Sequence, residues 1–443
     1  MVSPPSESAS PISESAGPRA RPVVFLHVGA AKSGTTYLQN LLWHNRDRLR
    51  EHGVLYPGAD QAAHVRAAFD LRRTFFPGAS DPEIPNAWPR LIDEVRDWDG
   101  STIISQELFA PSGRKYVRRA MADLDFAEVH VVFTTRDLAR QIPAHWQEDI
   151  KNRFGTSFTG FMEHIKRPNW LDHEISRLFW TLQDPVYVLE RWGMDLPPER
   201  VHIVTLPRPG APRDLLWRRF CAAVRLSPDD YDLAAPFDNP SLGLAETQFL
   251  LRLNTALDRE RLGWHFYNDE VKLFLAQRVL AGRPTVAKTV LPAEHLPWAT
   301  ERSGQMVEGL RAAGYNVVGD LDELIPAAGP ATAPDPDEPR WADVADVGME
   351  AITAVLQRLR DEVDHAAHVP GSETPVHDQV DAMRPEAGDL RELTSALVSE
   401  SLPLTHRAVR KIGERYPAAR RLRGAYRRLH RLGGSIDSDK NRR

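Results

Sequence analysis

Cysteine is almost missing: Cys221 is the single one in 443 residues. One thiol excludes an internal disulfide framework and a Cys-rich zinc site. Long apolar runs are missing as well, and none approaches the roughly 20 residues that a membrane-spanning helix requires. The opening stretch MVSPPSESASPISESAGPRARP has no apolar core. It reads as a disordered Ser/Pro segment over residues 1–20, not as a secretion signal. Nor is there a strong charge of one sign: 56 Lys+Arg face 61 Asp+Glu, a net −5, which argues against a general polyanion binder. No internal repeat is present. These deficits together predict a soluble cytoplasmic protein.

What is there is ordinary globular composition, 42% hydrophobic and 26% charged. Length alone suggests about three domains, but the order of segments predicts otherwise. Short apolar runs typical of buried strands occur at 22–28, 102–105, 129–135 and 201–206, separated by helical patterns at 35–50, 86–98, 112–123, 138–151, 174–193 and 213–224. Strands alternating with helices predict an α/β fold with a central parallel sheet covered on both faces. From Asn239 to Gly314 the pattern is almost all helical, and short segments at 315–318 and 320–324 close the domain. We therefore expect one domain over 21–325, a Pro/Ala/Asp linker over 326–340, and a helical, partly disordered extension over 341–443.

The most informative stretch is Gly29-Ala30-Ala31-Lys32-Ser33-Gly34-Thr35-Thr36, between the first strand and a helix. Small residues let the backbone curl so that successive N–H groups and the helix N-terminus face one anion. Lys32 adds a mobile charge, while Ser33, Thr35 and Thr36 add hydroxyls. A plain turn capped by Thr35 accounts for the glycines but not for a lysine with three hydroxyls. The nucleotide kinase pattern G-x-x-x-x-G-K-[ST] places its lysine directly after the second glycine. Here Thr35 stands there, and the lysine lies before Gly34.

At this point the chain resembles the sulfotransferase superfamily, whose 5′-phosphosulfate loop reads approximately P-K-S-G-T-T. Lys32-Ser33-Gly34-Thr35-Thr36 matches it, with Ala31 in the proline position. The resemblance implies a P-loop-like three-layer fold, the donor 3′-phosphoadenosine 5′-phosphosulfate (PAPS), and no metal. It further implies an arginine at the end of a later strand that binds the donor's 3′-phosphate, with a serine eight residues on. Arg136 follows Val131-Val132-Phe133-Thr134-Thr135, and its planar guanidinium suits bidentate phosphate contact. The serine position is Ala144, which leaves Arg140, Gln141 and His145 on the next helix to supply the second contact. An Arg136–Asp137 surface pair is the plainer alternative.

Sulfuryl transfer also needs a base for the acceptor's proton and cations for the leaving phosphate. Glu107, after the strand ending at Ser105, sits where ligands of open α/β sheets bind and resembles the glutamate after a central strand in carbohydrate sulfotransferases. A capping or solvent-facing glutamate is the alternative. His27 lies within the first strand, where a packed histidine is commoner than a base. Trp146, Gln147, Glu148 and Lys151 follow Arg136 toward an acceptor cleft, and Arg302-Ser303 stand where the family closes a loop over its donor.

Charge is uneven along the chain. Residues 406–443 carry +10 and the remainder −15. Within 404–432, apolar residues recur at three- and four-residue steps among arginines, a basic amphipathic pattern suited to an anionic membrane surface, an acidic partner or the chain's own acidic body. No nucleic-acid-binding motif accompanies it, which argues against nucleic acid. The expected activity is thus sulfuryl transfer from PAPS to a hydroxyl or amine of a carbohydrate, glycolipid or secondary metabolite. Its rivals are a P-loop kinase using ATP and Mg²⁺, and a non-catalytic adaptor working through its tail.

Overall fold

In a parallel sheet covered on both faces, successive residues of one strand enter opposite cores. A computed structural model describes residues 21–75, 81–234, 242–257, 262–284, 287–327 and 334–367, and the four expected strands obey that rule in it. They are β1 (Val23–Gly29), β3 (Ser101–Ser105), β4 (Glu128–Thr135) and β5 (Val201–Thr205), joined by short edge strands β2 (Val54–Leu55) and β6 (Asn316–Val318). All pairings are parallel, and the order is β2-β3-β1-β4-β5-β6. Val24, Leu26 and Val28 of β1 join Val129, Val131 and Phe133 of β4 in one core. Phe25 of β1, Ile103 of β3, Val132 of β4 and Val204 of β5 belong to the other.

The first core is closed by α3 (Ala63–Arg72), α4 (Ala87–Arg96), α5 (Arg114–Asp123), α9 (Pro185–Trp192) and α13 (Leu296–Ala313). The second is closed by α1 (Thr35–His44), α2 (Arg46–Glu51) and α10 (Leu215–Val224). The expected three-layer α/β arrangement is therefore present. Three further helices, α6 (Leu138–Lys151), α7 (Phe158–Ile165) and α8 (Glu174–Gln183), bury aromatic rings between them. Phe161 stands edge-on to Phe179 with centroids 5.6 Å apart.

Two predicted helices are each divided. The 35–50 pattern breaks at Asn45, whose side-chain amide donates to Leu41 O at 3.0 Å and Asp232 O at 2.9 Å. The 174–193 pattern breaks at Asp184-Pro185. Proline suits a first helical position, and the Asp184 carboxylate accepts from Val186 N and Tyr187 N at 3.0 and 3.1 Å. Hydrophobic periodicity runs through both breaks because the apolar face continues across them.

The described residues group into two units: those within 1–149, 157–239 and 289–336, and those within 150–156, 240–288 and 337–443. The second contains α11 (Leu244–Ala256), α12 (Trp264–Phe266) leading into a π-helix (Tyr267–Val279), and α14 (Trp341–Ala367). This partition differs from a 21–325 domain followed by an extension. Val344, Val347 and Ala351 of α14 are buried, and α14 packs on α11, so the helix beyond the linker shares a core with residues 240–288. An amphipathic pattern does not disclose its partner, which is why sequence placed α14 outside. Ile352, Val355, Leu356 and Leu359 remain exposed on α14. No helix among the described residues is long and apolar enough to cross a membrane. Residues 1–20, the 404–432 stretch and Asn239–Ser241 lie outside the described residues.

Candidate active site

The loop after β1 rises from the carboxyl end of the central strand, where a parallel sheet presents its ligands. Glycine is required at both ends of it. A Cβ on Gly29 (φ +156°) would lie 2.8 Å from the Phe133 ring, and Gly34 stands at φ +83° as the residue before α1. Lys32 itself is left-handed, at φ +63°, a conformation that costs a non-glycine residue about 1 kcal/mol or more and concentrates at functional sites. Among the described residues no side chain caps α1, so the first N–H groups of the helix are open to an anion.

Beneath the loop a polar seam crosses the three central strands. His27 Nδ1 lies 2.7 Å from Ser105 Oγ and its Nε2 3.3 Å from Thr134 Oγ1. Thr134 Oγ1 is in turn 2.5 Å from Ser33 Oγ. Ser33 is fully buried, and its hydroxyl also points at Ala30 O and Thr134 O, at 2.6 and 3.0 Å. The Ser33 side chain therefore anchors the loop from below. Thr35 is buried as well, whereas Thr36 is exposed. Burial draws the His27 imidazole down to about 4, so it is a neutral, doubly engaged strand histidine at neutral pH.

On the β4 side, Arg136 adjoins the loop through one side chain. Its Nε donates to Gln141 Oε1 at 2.6 Å and its Nη2 to Arg140 O at 2.7 Å. The Gln141 amide donates to Ala31 O in the loop and to Gln183 Oε1. Burial, with Arg140 close by, lowers the Arg136 guanidinium to about 10, which leaves it charged. Arg140 pairs with Asp137 and donates to Pro207 O at 3.1 Å. Its Nη2 is buried with no partner among the described residues. Arg136 and Asp137 thus do not form a surface pair of their own, and Gln141, not position 144, is the side chain that meets Arg136.

Lys32 Nζ pairs with Glu148 on α6. Beside this pair, His145 accepts from Gln183 Nε2 at 2.9 Å on Nδ1, while its Nε2 lies 3.4 Å from Asp149 Oδ1. Burial, reinforced by Lys32, pushes His145 down to about 3. Burial and the neighbouring Glu148 push Asp149 well up. His145 is therefore neutral at the back of the site, and Asp149 beside it holds its proton more tightly than an ordinary carboxylate. Arg302, by contrast, donates to the buried Asp184 at 2.7 Å and stands 5.0 Å over Trp180, which makes it a tie between α13 and the α9 cap.

On the β3 side, Glu107 opens a 3₁₀ turn directly after the strand. Gln39 Nε2 of α1 donates to its Oε2 at 2.9 Å. Its Oε1 has no partner among the described residues. The sheet order puts Glu107 on one side of the loop and Arg136 on the other, with Lys32 above the strand between them. Sequence reasoning did not find the Lys32–Glu148 and Gln39–Glu107 pairings. Both are long-range, and no spacing rule reports them.

The buried neutral histidines carry an acid prediction. His27 and His64 are each drawn by burial from 6.5 to about 4. As pH falls, the unfolded chain binds their protons first, so stability is complete above about pH 6.5 and is lost progressively down to about 4. Each contributes about 3 kcal/mol to that loss. Asp149, raised, works in the opposite sense: its contribution is present below the ordinary carboxylate range and fades as pH rises through its elevated value. Urea unfolding at pH 7.0, 5.5 and 4.5 is expected to show midpoints falling steeply between the first and last. A flat midpoint would mean that these histidines are not held neutral.

No protein-family model matches the sequence, nor does any curated protein sequence. Among solved structures, a sulfotransferase from Alicyclobacillus acidocaldarius is similar, with a TM-score of 0.34 and 19% identity, covering 56% of this chain and 99% of that one. A likeness of that extent carries no chemistry from one chain to the other.

Proposed function

We propose that the protein is a sulfotransferase that moves a sulfuryl group from PAPS to a hydroxyl, or an amine, of a carbohydrate, glycolipid or secondary metabolite. The observation that carries this reading is the linkage made by Gln141. One side chain holds both the backbone of the lysine loop and the guanidinium of Arg136, so a 5′-phosphosulfate subsite and a 3′-phosphate subsite belong to one hydrogen-bonded unit. The residues fit such a donor. Among the described residues, the start of α1 is uncapped and the buried Arg140 Nη2 is unpartnered, so both are donors suited to an anion, and a buried donor left unmade costs about 1–3 kcal/mol.

In this reading the backbone N–H groups of 34–36, with the Thr35 and Thr36 hydroxyls, hold the 5′-phosphosulfate, and Ser33 keeps the loop in shape. Arg136, supported by Arg140 and Gln141, holds the 3′-phosphate. The donor supplies the sulfuryl group and leaves as the bisphosphate, taking the electrons of the broken S–O bond. Lys32 leaves Glu148 and steadies the negative charge that grows on the bridging oxygen. Glu107, oriented by Gln39, accepts the proton of the attacking acceptor oxygen.

Calorimetric titration with 3′-phosphoadenosine 5′-phosphate, ADP, and ATP with Mg²⁺ tests the donor class. Tight binding of the first, independent of metal and lost with the 3′-phosphate, is the expected result. Binding confined to ATP with Mg²⁺ would instead make the protein a kinase, and binding of none would leave the adaptor reading.

A further inference from the structure

A cavity of about 150 Å³ opens beside Glu107, at the carboxyl end of β3, on the far side of β1 from Arg136. We propose that it is the acceptor subsite and that the acceptor presents a single uncharged, polyhydroxylated ring to it. The inference rests on the sulfuryl-transfer reading for the word acceptor, and on the cavity alone for the ligand's chemistry.

Four carboxamides line this space, those of Gln39, Asn40, Gln61 and Gln106, together with the rings of Trp43 and Tyr56. A carboxamide both donates and accepts, which is what a ring of hydroxyls requires, and the aromatic rings offer flat apolar surface to the C–H faces of such a ring. Gln106 gives its amide oxygen to Leu108 N–H at 3.2 Å, which leaves its NH₂ as a donor. Gln39 reaches Glu107 with its NH₂, so its oxygen stays available, and a ligand bonded to it lies beside the proposed base. Glu107 is close enough that its carboxylate, after burial, helps keep the Tyr56 phenol protonated.

Charge decides against an anionic ligand. No lysine or arginine among the described residues lines the cavity, whereas Asp60 does, and Glu107 stands just behind Gln39. Of the nearby cations, Arg66 is paired with carboxylates and Arg46 lies outside the lining. Arg66 is held by Asp60 at 2.7 Å and by Glu83 at 3.0 Å, and Arg46 donates to Tyr56 O at 3.0 Å while covering the Trp43 ring. His64 adds no charge. Its Nε2 donates to Pro57 O at 2.9 Å and its Nδ1 accepts from Ser105 N at 3.2 Å, which fixes one neutral tautomer. An added carboxylate or sulfate on the ligand would meet Asp60 at the wall and Glu107 behind it, with no lysine or arginine among the described lining residues to receive it. The volume is well below that of a drug-sized cleft, which restricts occupancy to one ring with its remainder outside.

Saturation-transfer NMR on the full chain tests this with methyl β-D-glucopyranoside, myo-inositol, glucuronate and glucose 6-sulfate, each with and without saturating 3′-phosphoadenosine 5′-phosphate. The two neutral polyols are expected to bind at least tenfold more tightly than the two anions, and to remain bound when the nucleotide is present. Asn40→Leu, which fills the cavity from a half-buried helical position, should weaken neutral polyol binding at least tenfold and change nucleotide affinity less than twofold. Gln61→Lys, at the exposed rim, should erase the preference against anions. Anions binding as well as polyols, polyols displaced by the nucleotide, no polyol binding, or no effect of either variant would each overturn the assignment. Polyol binding without any nucleotide binding would sink the sulfuryl-transfer reading and leave the polyol cavity standing.

Discussion

Lys32→Ala is expected to lower sulfuryl transfer about 10²–10³-fold while the protein stays folded, because a single preorganised donor at the developing charge of a transition state has that worth. The fold should tolerate the loss. The Lys32 side chain is 30% exposed and its partner Glu148 26%, and a partly exposed ion pair contributes about 0–1 kcal/mol. Alanine at φ +63° carries a backbone strain like that of lysine, since both have a Cβ. Circular dichroism and thermal unfolding establish the folding half, and initial rates with a fixed acceptor the catalytic half. Glu148→Gln is the informative companion, because it removes the carboxylate that occupies the ammonium in the absence of donor. It should tighten nucleotide binding severalfold. Undiminished turnover in Lys32→Ala would remove this residue from the chemistry, whatever the fold.

Arg136→Ala carries the second large effect, on donor affinity. Charge-assisted hydrogen bonds contribute about 1.5–3 kcal/mol each. Losing two of them from a 3′-phosphate weakens 3′-phosphoadenosine 5′-phosphate by about 10² or more at 1.4 kcal/mol per tenfold. The specific signature is selectivity: the variant should bind that nucleotide no better than adenosine 5′-phosphate, while the parent prefers it. Gln141→Leu separates contact from positioning. It keeps the guanidinium but cuts the tether to Ala31 O, so affinity should fall while preference for the 3′-phosphate survives. Calorimetry on the three proteins reads both quantities, and an unchanged preference in Arg136→Ala would place the 3′-phosphate elsewhere.

The sheet was legible to a large degree because its strands are buried on both faces. Val23–Val28 and Val129–Thr135 read as near-continuous apolar runs, and few local structures other than central parallel strands accommodate them. The edge strand Val54–Leu55 has two residues and leaves no such trace. Helix α3 was also passed over; its buried positions His64, Ala67, Ala68 and Leu71 include only one large apolar side chain. The glycine loop announced itself, since Gly29 and Gly34 are needed by local geometry and Lys32 lies between them. Ser33 shows where such reading stops. A hydroxyl in a phosphate-type loop looks like a ligand, but Thr134, 101 residues away, turns it inward.

Sequence alone therefore settles the layered α/β architecture, the position of the loop on the first strand, and the arginine at the end of β4. Periodicity, backbone conformation and strand ends are properties of short segments. Tertiary structure decides what each charged group faces. It joins Arg136 to the loop through Gln141, pairs Lys32 with Glu148, and sets Gln39 on Glu107. Each depends on residues dozens of positions apart being brought to one end of the sheet, and on burial, which shifts proton affinities by removing water. Neither the partner nor the burial of a side chain is encoded in its immediate neighbours.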